Sequence, residues 1–235
     1  FNMGVSLYEQ GNFTAARKAY ENSLSLNPNF IECAIALGNI ETQLSGSEIT
    51  IHNLETAKNT SLVKKLENNP KHQTQQAIST FIMGDFSRCE EHLIKIRQLI
   101  KMQDFQFLNY KDQVFCKSFF KLITSLKHSN ASKLDSNYPK IYHIGESHCL
   151  SFAHSLITIG GKTHIISPRI TLGAKAYHFS TKLENHFKSI AAYHLKKAPT
   201  GSIVLISFGE IDCRADEGII KAASQTSMPI DELIE

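Results

Sequence analysis

Side chains able to do chemistry gather in three short blocks in the second half of the chain. The first is Gly145-Glu146-Ser147-His148: a carboxylate, a hydroxyl and an imidazole in succession behind the apolar run Ile141, Tyr142, Ile144. The second is Gly173, in Thr171-Leu172-Gly173-Ala174-Lys175. The third is Gly209-Glu210-Ile211-Asp212-Cys213-Arg214, behind Ser202–Phe208. A serine at the turn from a strand into a helix stands with its hydroxyl free and helix N–H groups close by, which suits a nucleophile. A glycine in a neighbouring loop lets bare backbone approach a developing oxyanion. Glu146, His148, Glu210, Asp212 and Arg214 can hold polar parts of a substrate. Glu210, Asp212 and Arg214 can equally close their own loop through an arginine–carboxylate pair.

Such blocks act together only if strands bring them to one place. The pattern predicts strands over 140–145, 163–167 and 202–208, and helices over 148–158 and 181–197. The second of these helices has its apolar face at Leu183, Phe187, Ile190, Ala191, His194 and Leu195. A short helix is expected over 215–224 and another beginning near Pro229. Strand–helix alternation of this kind predicts a parallel sheet covered on both faces, with the carboxyl ends of neighbouring strands meeting at one crevice.

Seven of the histidines lie in this half, at positions 143, 148, 154, 164, 178, 186 and 194. His148 directly follows Ser147, and adjacent side chains in a helical turn diverge, so it suits substrate contact better than service as a base. His143 and His164 sit in strand patterns and His194 on an apolar helix face, which reads as core. Tyr177-His178-Phe179 can line the crevice or pack a lid. A metal site from His143, His148 and His154 would need a face that strand-then-helix geometry does not provide, so no metal is expected. No cofactor is expected either, because Gly145-Glu-Ser lacks the glycine-rich loop that cradles phosphates.

In order and spacing the three blocks resemble the SGNH, or GDSL-type, hydrolases. Gly145-Glu146-Ser147 is similar to the family's Gly-Asp-Ser block, Gly173 to its second-block glycine, and Gly209-Glu-Ile-Asp212 to its Gly-x-Asn-Asp. The resemblance spans 138–235. It implies a flavodoxin-like parallel sheet and a serine esterase or acyltransferase acting on an acyl ester, with a carbohydrate O-acetyl group as one option. Ser147 would attack the carbonyl, and the N–H groups of Ser147 and Gly173 would hold the oxyanion, each worth roughly 3 kcal/mol of barrier. Two departures stand out. Ile211 occupies the place of the family's oxyanion-binding Asn, so Arg214 would have to replace that donor. The family's Asp-x-x-His block, which supplies the general base, does not occur before Glu235, and the base is expected beyond this fragment. The alternative is a degenerate hydrolase-like domain that binds a polar ligand without catalysis.

Residues 1–137 read differently. Gly4, Leu7, Gly11, Phe13, Ala16, Tyr20, Ser23 and Pro28 follow the pattern of a tetratricopeptide repeat. Gly4 and Ala16 would let two antiparallel helices approach while Leu7, Phe13 and Tyr20 fill the space between them. A second copy starts at Ile31, with Ala34, Leu37 and Gly38, and decays after Gly46. A third is seen in Gly84-Asp85-Phe86, Cys89 and Leu93. Phe13, Tyr20, Phe81 and Phe86 read as core. Leu62–Gln76 reads as a polar link with a helix stop at Asn68-Asn69-Pro70. Val114, Phe115, Phe119, Leu122, Ile123 and Leu126 form one more buried helix face. The Ser/Asn-rich stretch 128–139 marks the expected boundary. Such repeats bind proteins, buttress a neighbouring domain or make oligomer contacts.

The overall composition fits a globular chain: 42% hydrophobic and 20% charged residues, with a net charge of +3. Residues 1–137 carry +2 of that charge and residues 138–235 carry +1, so neither half offers a basic patch for nucleic acid by count. No run approaches the length of a membrane span. Five widely spaced cysteines without a Cys-x-x-Cys pair read as reduced thiols, consistent with a cytoplasmic protein.

Overall fold

The computed structural model describes residues 1–44, 60–102, 105, 106, 108–130, 137–180, 182–215, 218–226, 229 and 232. Helices α1 (Asn2–Glu9) and α2 (Phe13–Leu26) form an antiparallel hairpin. Its turn is Gly11, at φ +76°, followed by Asn12, whose side chain caps α2 by accepting from the Ala15 N–H. The helices close on each other because Gly4 has no Cβ. One added there would lie 2.5 Å from the ring of Tyr20, which is buried with Ala16.

Helix α3 (Ile31–Leu44) buries Ala34, Leu37 and Gly38, the positions expected to repeat, together with Cys33. The second copy's decay after Gly46 lies outside the described residues. The region read as a polar link is instead α4 (Thr60–Glu67) and the first half of α5 (Pro70–Met83). The stop at Asn68-Asn69-Pro70 is real: Asn69 caps α5 and Pro70 occupies its first turn. The polar composition misled because Gln73, Thr74, Gln75 and Gln76 are buried; Gln73 donates to Leu66 O, Thr74 to Pro70 O and Gln75 to Ile35 O. Gly84, left-handed at φ +79°, and the capping Asp85 join α5 to α6 (Phe86–Ile100), with Cys89 and Leu93 buried between. Helix α7 (Tyr110–Asn130) buries Phe119 and Ile123 and exposes Val114.

The second half is a four-stranded mixed sheet of order β2-β3-β1-β4. Strands β1 (Lys140–Gly145), β3 (Lys162–Ile170) and β4 (Ile203–Ser207) run parallel, with Gly145 beside Ile170 and Ser207 at the carboxyl edge. The helix expected over 148–158 does not form. A 3₁₀ turn, Ser147–Phe152, leads into an edge strand β2 (Leu156–Ile159) antiparallel to β3, so the sheet is not purely parallel. Two local features decide this. Gly160 and Gly161, at φ +57° and +77°, make a tight two-residue hairpin turn. His154 sits at φ +61°, donates its N–H to Ile166 O and sends Nε2 to Phe81 O at 2.7 Å. A helix through 154 would break both contacts.

Helix α8 (Tyr177–Ser180) and helix α9 (His186–Lys197) follow β3. Because α9 starts at His186, Leu183 lies outside it and is exposed, while Ile190, Ala191 and His194 are buried as expected. A 3₁₀ turn, Ile211–Cys213, and α10 (Gly218–Thr226) end the described chain. The beginning of a helix read near Pro229 lies largely outside the described residues.

One apolar cluster joins the two halves: Ile78, Phe81, Leu93, Ile96 and Ile123 pack with Cys149, Leu150, Ala153 and Ile170. All five cysteines are free thiols. Among the described residues, no helix is long and apolar enough to cross a membrane.

Candidate functional site

Because β1, β3 and β4 are parallel, their carboxyl ends share one edge, and three loops leave it there: 146–152, 171–177 and 208–214. Main-chain bonds tie the loops to that edge. Thr171 N–H donates to Gly145 O at 2.7 Å, and Glu146 N–H to Ser207 O at 3.3 Å. Gly145 is required where β1 meets β4, since a Cβ there would lie 2.6 Å from Ser207 Oγ and 2.7 Å from Ser207 O.

Glu146 is 2% exposed and holds the first loop together. Its Oε2 accepts from Ser147 Oγ at 3.1 Å and His148 N–H at 3.0 Å, and lies 2.8 Å from His148 Nδ1. From the third loop, Glu210 Oε2 approaches the same His148 nitrogen at 3.4 Å. Arg214 grips Glu210 from the other side with Nε and a terminal nitrogen, the latter at 2.8 Å. That hydrogen bonding holds the Glu210 carboxyl below the usual carboxylate range; partial burial opposes the shift and the charge of nearby His148 reinforces it. Ser147 is half-buried at the rim of this cluster, with His148 exposed.

Five of the sequence-derived residues therefore form one hydrogen-bonded or ion-paired chain: Glu146, Ser147, His148, Glu210 and Arg214. Asp212 is turned elsewhere. It is buried, and its carboxylate accepts from Ala176 N–H at 2.7 Å and Tyr177 N–H at 3.4 Å, locking the second and third loops together. Gly173 stands in the second loop at φ +71°, with nothing within 4 Å of where a Cβ would be. Its backbone is open to approach. Ile211 is buried and offers no donor.

The remaining candidates fall into packing roles. His143 is buried with Nε2 on Ser207 Oγ at 2.7 Å; burial lowers its pKa, opposed by the Glu146 charge, so it is a neutral imidazole at physiological pH. Ser207 is crowded against Gly145, where an added Cβ would lie 2.6 Å from its Oγ. His164 and His194 bond main-chain carbonyls of Lys162 and Ile170, as their core positions suggested. His178 lies flat on Phe187, with ring centroids 4.0 Å apart. Cys149 is no rival to Ser147, since burial pushes its thiol far above the ordinary range. Among the described residues, no histidine nitrogen hydrogen-bonds Ser147 Oγ.

One grouping was missed at the level of sequence. Ligand atoms of Glu146, His148 and Glu210 lie within 4.8 Å of one another, a mixed O,O,N donor set of the kind divalent cations accept. In the chain as folded, His148 and Arg214 already engage these carboxylates. The signal was available: a glutamate follows a glycine at, or two residues past, the end of a strand in both Gly145-Glu146 and Gly209-Glu210.

Comparison with known proteins bears on the other half of the molecule. The family model described as Tetratricopeptide repeat matches residues 1–30, which are α1, α2 and the chain leading to α3. The N-terminal hairpin is similar to a tetratricopeptide repeat. No curated protein and no solved structure matches the chain. The repeat belongs to a class whose stacked helices present surfaces to other proteins. Here the hairpin also touches the α/β half directly: Glu9 pairs with His186 at 2.9 Å, and Tyr8 lies against the same imidazole.

Proposed function

We propose that residues 138–235 form an acyl-transfer domain of SGNH/GDSL type, a serine esterase or acyltransferase, carried by a tetratricopeptide-repeat scaffold that also offers a protein-contact surface. The observation that carries this reading is the meeting of three loops at one sheet edge, with Ser147 half-buried on one and an open Gly173 backbone on the next. Ser147 Oγ would attack the ester carbonyl, its proton passing to a general base, and the alkoxide would leave with a proton returned. Main-chain N–H groups of Ser147 and Gly173 would receive the oxyanion. Glu146 would fix the serine's rotamer through the 3.1 Å hydrogen bond, and His148 and the Glu210–Arg214 pair would contact polar parts of the substrate. An acylated small molecule or glycan fits that polar rim.

The test is covalent labelling of the full-length protein with a fluorophosphonate probe, with the adduct located by peptide mass spectrometry. Labelling at Ser147 that disappears in Ser147→Ala supports the proposal. Absence of labelling at Ser147 overturns it.

A second reading, non-catalytic binding of a polar ligand, is favoured by one feature: the hydroxyl of Ser147 points its hydrogen bond at a carboxylate, not an imidazole. On that reading Arg214→Ala abolishes ligand binding and Ser147→Ala leaves it intact.

A further inference from the structure

The leading helix of each helical pair makes a polar contact with the α/β half, and the three contacts reach different places. From α1, Glu9 holds His186, the first residue of α9. From α5, the carbonyl of Phe81 holds His154 in its left-handed conformation ahead of β2. From α3, Gln43 reaches the loop that follows β3, its Oε1 accepting the N–H of Leu172 at 2.9 Å.

The Gln43 contact differs from the other two in what it touches. Gln43 is 3% exposed, and its amide nitrogen donates to the hydroxyl of Tyr8, which also accepts from Asn39 at 3.2 Å. The amide is thus clamped between a repeat helix and a loop, with both ends occupied. Leu172 is the residue before Gly173, and only the φ and ψ of Leu172 separate its pinned N–H from the Gly173 N–H, so fixing Leu172 narrows where the next amide can point. Thr171 N–H is held on the other side by Gly145 O at 2.7 Å. Two consecutive amides of this loop are therefore pinned, one by the sheet and one by the repeat.

We infer that Gln43 is a positioning residue: held by Tyr8 of the tetratricopeptide repeat, it fixes the 171–173 loop so that the Gly173 amide faces the site. The repeat is then part of the site's construction as well as a surface for partners. The link to catalysis rests on the acyl-transfer reading above; the link between repeat and loop does not.

Hydrogen exchange at the loop amides separates the two. Gln43→Met keeps the side chain's length and removes both hydrogen bonds, whereas Gln43→Glu keeps an acceptor for Leu172 N–H and for the Tyr8 hydroxyl. Exchange is measured on the full chain by mass spectrometry over peptides spanning 170–176, with α5–α6 peptides as the reference for global opening. The expected result is exchange at Leu172 faster by roughly three- to tenfold in Gln43→Met, the size of one lost hydrogen bond. The reference peptides should stay unchanged, and Gln43→Glu should restore protection. Tyr8→Phe, which removes only the hydroxyl, should show a smaller change in the same amide. Unchanged Leu172 exchange, or a rise shared equally by the reference peptides, overturns the inference. If Leu172 loses protection and fluorophosphonate labels Ser147 more slowly in Gln43→Met, both ideas are supported. If Leu172 loses protection while wild-type Ser147 never labels, the positioning role stands and the hydrolase reading fails.

Discussion

Oε2 of Glu146 lies 2.8 Å from Nδ1 of His148 and receives the hydroxyl of Ser147 at 3.1 Å, so a single buried oxygen organises the loop after β1. Hydrogen bonds to a charged acceptor contribute about 1.5–3 kcal/mol, more than neutral ones. Glu146→Gln keeps the shape but removes the charge and turns one acceptor into a donor. It is expected to lower the unfolding free energy by roughly 2 kcal/mol in urea titration. A midpoint equal to wild type would show that the carboxylate is not the loop's organiser.

In the N-terminal hairpin Gly4 packs against Tyr20, where an added Cβ would lie 2.5 Å from the ring. Alanine is ordinarily the better helix former by about 1 kcal/mol, so Gly4→Ala on an open surface would stabilise α1. Here the new methyl meets an almost fully buried ring, and overpacking of this kind costs about 1–3 kcal/mol. A net loss of melting temperature is expected, and Tyr20→Leu placed on the Gly4→Ala background should recover part of it.

Two glycines at the site edge should respond differently to the same change. Gly145→Ala drives a Cβ into the backbone and hydroxyl of Ser207 and is expected to cost roughly 2–3 kcal/mol while separating β1 from β4. Gly173→Ala meets open space, so its cost is the left-handed backbone alone, about 1–2 kcal/mol. Thermal unfolding of the two variants, compared side by side, checks the order.

Acid should weaken the fold through its buried histidines. His72 and His194 are each lowered to about 4 from 6.5, principally by burial. In the unfolded chain both bind a proton as pH falls through 6.5; in the folded chain neither does until about 4. Between those values the unfolded state holds more protons, so stability declines with falling pH in that window and is level above it. The loss is on the order of 3 kcal/mol for each residue. Urea midpoints between pH 7.5 and 4.5 should fall less steeply for His194→Gln than for wild type, and parallel curves would contradict the assignment.

Much of this molecule was legible in one dimension. Gly4, Gly11, Ala16 and Tyr20 announce a helical hairpin because close helix approach, a left-handed turn and a ring to fill the gap each require particular residue types. The strands ending at Gly145 and near Ser207 were visible as apolar runs closed by a glycine. The edge strand after Phe152 was missed because its apolar residues suit helix and strand alike. Gly160-Gly161 carried the deciding turn signal, and the contact of His154 with Phe81 is far away in sequence.

The sequence by itself determined which residue types follow each strand of the sheet, and hence that hydroxyl, carboxylate and guanidinium groups lie at its carboxyl edge. Only the tertiary structure decided their partners. It turned Asp212 toward the amides of Ala176 and Tyr177, joined His148 to both Glu146 and Glu210, and set Gln43 of α3 against Leu172. Backbone periodicity is a local property that adjacent residues specify. A hydrogen bond between positions 43 and 172 depends on the packing of everything between them.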